Sequence, residues 1–239
     1  MSWVAGVDGC PGGWVVALED LDSGAVASAW GATFADVLAA PQRPRVIGVD
    51  VPIGLLPRAE RGGRACDREA RALLGRRGSS VFSPATRPAL DALAAGLPYR
   101  GVSDANRATS PAGIGLSKQS FAIMPKITDV DRSMTPELQA RVFEVHPEVA
   151  FIRANGQHLL PSKKRADGRE GRERALQQLG YPPLAEWFPE PWPPKARADD
   201  LLDACIVCWT AKRIAIGDAQ RVPPHPPIDA RGLRMEIWS

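Results

Sequence analysis

At 239 residues, 44% apolar and 24% charged, the chain is long enough to bury one sizeable core or two small ones. A formal net charge of +3 excludes a protein held on nucleic acid by bulk charge alone, and no stretch approaches the roughly 18 apolar residues of a membrane span. The N-terminus lacks a basic segment ahead of its apolar run, so no secretory signal is expected, and a cytoplasmic protein with Cys10, Cys66, Cys205 and Cys208 reduced is the expectation.

Trp3 to Val7 reads as a buried strand that stops at Asp8, Gly9 to Gly13 as a tight turn, and Trp14 to Leu18 as a second strand. After Asp22-Ser23-Gly24, Ala25 to Trp30 reads as a third, which makes an antiparallel meander. Thr33 to Ala39 is predicted as a short helix with Thr33 as N-cap. Beyond the loop Pro41 to Pro44, Arg45 to Asp50 is a fourth strand, which the crossover helix sets parallel to the first.

The middle is more helical. Arg64 to Leu74, Arg87 to Ala95 and Ser103 to Lys118 are predicted as helices, with a loop from Gly75 to Pro88. The apolar run Val142 to Val145 reads as a strand, and Pro147 opens a helix to Ala154 from its favoured first position. A charged helix spans Arg169 to Leu179, a proline-rich stretch from Pro182 to Pro194 crosses the surface, and Ala196 to Ile216 is the longest helix. Leu233 to Trp238 adds a strand. This is the connectivity of an RNase H-like α/β fold: a mixed sheet, antiparallel meander plus parallel strands, flanked by helices. The expectation is one domain over 1–239 with a helical insertion at about 57–135.

One pattern occurs twice. Val4-Ala5-Gly6-Val7-Asp8 is echoed by Val46-Ile47-Gly48-Val49-Asp50, so two buried strands deliver a carboxylate to one sheet edge. In the last helix Asp200 and Asp203, three apart, share a face, and Asp199 is the natural N-cap. If that helix starts beside the strand ends, Asp8, Asp50 and the Asp200/Asp203 pair converge. Two divalent cations about 4 Å apart need such a carboxylate cluster, and carboxylates without Cys or His suit hard Mg²⁺. Asp after a strand also serves local caps and turns.

Glu144 lies in an apolar strand. It is either a fourth ligand, because burying it alone costs several kcal/mol, or an outward residue on an edge strand. His146 reads as a structural His before proline, with general base as the other role. Gly9 to Gly13 is a weak phosphate cradle that a hairpin would also select. Between Arg58 and Arg77 seven arginines, Arg68 among them, face three acids and lead into a hydroxyl-rich loop that includes Ser80. Phosphate contact is one reading of this segment and of Ser162-Lys163-Lys164-Arg165, a solvated face the other. Lys118 and Lys126 flank an apolar run, which would point them into a cleft. Cys205 and Cys208 have redox spacing but fall mid-helix in an apolar stripe, which favours buried core.

Several stretches resemble one family, the uncharacterised proteins called domain of unknown function 429, predicted to be nucleases of the RNase H fold. They are Gly6-Val7-Asp8-Gly9-Cys10-Pro11-Gly12-Gly13-Trp14, Gly48-Val49-Asp50-Val51-Pro52-Ile53-Gly54, Cys66-Asp67-Arg68-Glu69-Ala70-Arg71, Ser79-Ser80-Val81-Phe82-Ser83-Pro84, Leu116-Ser117-Lys118-Gln119, Glu144-Val145-His146-Pro147-Glu148 and Asp200-Leu201-Leu202-Asp203-Ala204. The last also resembles the final helix of Holliday-junction resolvases. The resemblance implies Asp8, Asp50, Asp200 and Asp203 as metal ligands, with Asp50 where resolvases use a longer Glu.

The sequence thus predicts a Mg²⁺- or Mn²⁺-dependent nuclease, a phosphodiester hydrolase acting on nucleic acid. Asp8 bridges the metals, Asp50 and Asp203 each hold one, and Asp200 or Glu144 completes the shell. Gly9, Arg68, Ser80, Lys118 and Lys126 are the expected phosphate contacts. A small ATP-dependent phosphotransferase of the actin and sugar-kinase type and a non-catalytic binding protein on the same scaffold are the alternatives.

Overall fold

The computed structural model describes residues 1–163, 165–188, 190 and 195–239. In chain order the strands are β1 (Trp3–Cys10), β2 (Gly13–Asp20), β3 (Val26–Gly31), β4 (Val46–Val49), β5 (Val142–Glu144), β6 (Arg221–Val222) and β7 (Ile237–Trp238). The α-helices are α1 (Phe34–Leu38), α2 (Ala65–Leu74), α3 (Arg87–Ala94), α4 (Tyr99–Ala108), α5 (Lys118–Ala122), α6 (Met124–Ser133), α7 (Pro147–Ala154), α8 (Ala166–Gln178), α9 (Leu184–Trp187) and α10 (Ala198–Ile216). The chain divides into two compact units. One comprises Met1–Val51, Ala140–Arg221 and Trp238–Ser239, the other Pro52–Gln139 and Val222–Ile237. No helix among the described residues is long and apolar enough to cross a membrane.

The first unit is built on a mixed five-stranded sheet in the order β3-β2-β1-β4-β5. β1, β2 and β3 form an antiparallel meander, and β4 and β5 add in parallel. The turn between β1 and β2 is shorter than Gly9 to Gly13: Cys10 pairs with Gly13, so only Pro11 and Gly12 lie outside the ladder. Side chains alternate between the two faces. One face carries Trp14, Val16 and Leu18 toward α1, where Trp14 meets Phe34 edge-on at 5.6 Å. Thr33 caps α1 as expected, its hydroxyl accepting from the Asp36 N–H.

The other face is covered by α10, which crosses β1 with β2 and β4 on either side. Leu201, Leu202, Ala204, Cys205, Ile206, Val207 and Cys208 are all buried, so the helix is apolar on nearly every side, as a helix packed between a sheet and further helices must be. Each fully buried Leu or Ile contributes about 1.5–3 kcal/mol. α10 approaches β1 closely because residue 6 is glycine. A Cβ there would stand 2.0 Å from the Cys208 amide nitrogen and 2.2 Å from the Ala204 carbonyl oxygen. α7 and α8 pack on the far side of α10.

In the second unit, Arg64 is almost wholly buried and pairs with Asp67 at 2.7 Å. It also donates to the carbonyls of Ile53 and Gly54 at 3.0 and 3.2 Å. Arg71 donates to the Val81 carbonyl at 2.7 Å and the Ser83 hydroxyl at 3.0 Å. The arginine-rich segment therefore spends these two cations on fixing loops, while Arg58, Arg61, Arg68 and Arg76 are exposed.

The expected helix from Ser103 to Lys118 is really α4, starting at Tyr99 and ending at Ala108. Pro111 has no N–H to continue it and disfavours helical backbone at Ser110. Of the proline-rich stretch, residues 189 and 191–194 lie outside the described residues. The part before them folds as α9 and buries Trp187 and Phe188, so it does not simply cross the surface.

Candidate functional site

Two strands and one helix build the site, all within the first unit. Val7 pairs with Val49 across β1 and β4, and the Asp50 N–H donates to the Val7 carbonyl at 3.0 Å. Asp8 and Asp50 therefore stand level at the ends of parallel neighbours. Alternation puts them on the face of Gly6 and Gly48, the face that α10 covers. On α10, Ala204 and Cys208 lie over Gly6, and Val207 over Gly48. Asp203 sits one turn before Val207, which brings it toward the two strand-end aspartates.

Asp8 is 8% exposed and Asp203 1%, and Asp50 is partly buried. Burial first, then the charges of Asp50 and Asp203, hold the Asp8 carboxyl well above the usual carboxylate range. Burial and then Asp203 push Asp50 up to about 8, with Glu144 and Glu148 adding to the rise. Burial also raises Asp203, against the charge and hydrogen bond of Lys163. The Lys163 ammonium donates to Asp203 Oδ2. Burial alone would lower the pKa of Lys163, but Asp203, Asp8 and Asp50 outweigh it and hold it above the ordinary lysine range. Asp203 Oδ1 is buried and has no hydrogen-bond partner among the described residues.

These groups fit a hard divalent cation in donor chemistry, charge and burial, and the unspent oxygen of Asp203 is the kind of atom a cation would satisfy. Among the described residues, no group of three or more His, Cys, Asp or Glu side chains is arranged so that it could hold a metal ion as it stands. The cation in contact with the cluster is Lys163.

The other expected residues fall as follows. Asp200 is the third residue of α10, and its carboxylate accepts from the Arg197 N–H at 2.9 Å. It acts as a cap and touches the cluster through its charge on Asp8. The N-cap is Arg197 rather than Asp199. Glu144 is buried and in register with Val49, so it leaves the sheet on the face opposite Asp50. Its charge nevertheless acts on Asp50 and raises it. His146 is the N-cap residue of α7.

Gly9 is a strand residue paired with Trp14, and its N–H donates to Asp8 Oδ1 at 2.8 Å. That bond orients the Asp8 carboxyl. Arg68, Ser80, Lys118 and Lys126 belong to the second unit. There Arg68 donates to the Gly63 carbonyl and pairs with Glu60 at 3.4 Å, and Ser80 donates to the Arg77 carbonyl at 2.9 Å. Lys118 opens α5 and is exposed, not directed into a cleft, and Lys126 is partly buried in α6. Cys205 and Cys208 are fully buried, and burial pushes both thiols up, which makes them inert core.

Sequence reasoning missed two members of the site. Glu148, on the first turn of α7, raises both Asp50 and Asp203 and pairs with Arg172 at 2.6 Å. Its signal was its place in the Glu144 to Glu148 motif, four residues beyond the acid that was singled out. Lys163 lay in a basic run read as a phosphate contact. Lys164 of that run lies outside the described residues.

No curated protein and no solved structure matches the chain significantly. The family model described as protein of unknown function, DUF429, matches residues 6–228, and the chain belongs to that family.

Proposed function

We propose that this protein is a Mg²⁺- or Mn²⁺-dependent phosphodiesterase of the RNase H-like superfamily, acting on nucleic acid. The observation that carries the reading is the convergence of two buried carboxylates, Asp8 and Asp203, and the partly buried Asp50, from two strand ends and one helix, with Asp203 Oδ1 unspent. The sheet order β3-β2-β1-β4-β5, an antiparallel meander extended by two parallel strands, supports the superfamily. Asp8, Asp50 and Asp203 would hold the ion. When bound, it polarises a phosphodiester and acidifies a water.

The chain's own contribution is positioning. The Gly9 N–H fixes the rotation of Asp8, backbone pairing holds Asp50 level with it, and burial keeps all three acids poorly hydrated, which favours exchange of their protons for a cation. Gly9 pairs with Trp14 in the β1–β2 hairpin, which leaves only Pro11 and Gly12 outside the ladder.

A panel of branched, single-stranded and duplex nucleic acids, incubated with Mn²⁺ and the wild-type or Asp8→Asn protein, tests this reading. Cleavage of at least one substrate class by wild type and its loss in Asp8→Asn is the expected result. Cleavage that survives Asp8→Asn, or no cleavage of any substrate, overturns it, and the second outcome leaves the non-catalytic scaffold.

A further inference from the structure

Lys163 stands in the connection between α7 and α8, and its ammonium reaches the nearly inaccessible carboxylate of Asp203 while its side chain stays 36% exposed. The connection is held at two points. Arg172, fully buried in α8, donates to the Pro161 carbonyl at 2.8 Å and to Glu148 at 2.6 Å. Gly168 lets the chain lie directly on α8, because a Cβ there would stand 2.0 Å from the Ser162 carbonyl oxygen. The residues just before Lys163 are thus fixed by a hydrogen bond to a buried guanidinium and by a backbone approach that only glycine permits. A lysine anchored in this way is a built part of the cluster.

We propose that Lys163 takes the place of a second metal ion, so that the centre is a one-metal-plus-lysine site, with one divalent cation on Asp8, Asp50 and Asp203 Oδ1 and the ammonium on Asp203 Oδ2. This rests on the metal-dependent reading above. In a two-ion centre, one cation neutralises the attacking side and the other the leaving oxygen. An ammonium is a compact point charge with three donors. It supplies the second positive charge and a hydrogen bond to a phosphate oxygen without exchanging with solvent ions.

The test is Mn²⁺ binding to the full chain, by calorimetry and electron paramagnetic resonance, for wild type, Lys163→Ala, Lys163→Arg and Asp8→Asn. Wild type and Lys163→Arg are expected to take one Mn²⁺ per chain. Lys163→Ala is expected to take a second, or to bind the first at least tenfold more tightly, and Asp8→Asn to lose at least tenfold in affinity. Two ions in wild type, or a count and affinity unchanged in Lys163→Ala, overturn the lysine proposal and leave the metal centre standing. No ion bound by either wild type or Lys163→Ala removes both.

Discussion

Asp8 and Asp50 are held level by backbone: Val7 pairs with Val49 between parallel strands, and the Asp50 N–H donates to the Val7 carbonyl at 3.0 Å. Each follows, by two residues, a glycine over which α10 crosses. Asp50 and Asp203 both raise the cost of ionising Asp8, and Asp203 raises that of Asp50.

Relief of that repulsion should be measurable. Asp8→Asn keeps the side-chain oxygen that accepts from Gly9 and removes one charge. In EDTA at pH 7.5 it is expected to stabilise the fold by about 1–2 kcal/mol, raising Tm by roughly 2–6 °C for a chain of this size. Melting both proteins with and without Mn²⁺ checks this, because the gain from Mn²⁺ should appear in wild type only.

The same repulsion fixes a pH dependence. Asp50 holds its proton to about 8 in the folded protein and to about 3.8 without its neighbours, and Asp200 holds its own to about 6. Between these limits the native state binds more protons than the unfolded one, so stability falls as pH rises. Lys163 stays charged in both states across that window and does not offset the fall. Urea midpoints in EDTA should drop steadily from pH 5 to 8, and Asp50→Asn should flatten the slope. A midpoint that climbs over this range would contradict the assignment.

The close crossing of α10 makes a sharper demand. Gly6→Ala drives a methyl into the backbone of Ala204 and Cys208, which cannot rotate away, and is expected to cost at least about 3 kcal/mol, at or beyond the top of the usual overpacking range. Gly48→Ala meets first the Val207 side chain at 2.8 Å, with the Val145 side chain and the Val207 carbonyl oxygen at 3.1 Å; these approaches are less severe than the 2.0 and 2.2 Å backbone contacts at Gly6, so it should cost less. Denaturant titration of the two variants side by side gives the comparison.

Arg172 and Glu148 form a pair in which the guanidinium is wholly buried and the carboxylate 12% exposed. Arg172→Met strands Glu148 beside Asp50 and Asp203 and is expected to cost about 3–5 kcal/mol. Adding Glu148→Gln should recover part of the loss, since the acid left behind is most of the penalty. Equal stabilities for the single and double variants would show that the pair matters only through packing.

Much of this was readable from the residues. The apolar runs of β1, β2 and β4, the Thr33 cap and the proline opening α7 are local signals, and local chemistry decided them. The twin Val-Asp strand ends identified Asp8 and Asp50 because a strand that stops at an acid needs no distant partner to be noticed. The helices between 99 and 133 were harder, since their apolar residues are spaced irregularly and Pro111 and Gly113 break what looks continuous. Arg64 looks like part of a solvated run until its carbonyl partners fold back on it. The basic run around Lys163 marks a phosphate contact or a solvated face and nothing about an acidic partner. Only the fold of the α7–α8 connection shows which acid it meets.

The contact at Gly6 has a bearing on how this protein can change. Because α10 rests there on main chain, the closeness of that crossing is set by backbone and not by a side chain of β1 at residue 6. Substitutions among the apolar residues around the helix can raise or lower thermal tolerance while that backbone contact stays in place. A programme to harden the protein would have the rest of the core to vary and one crossing to leave alone.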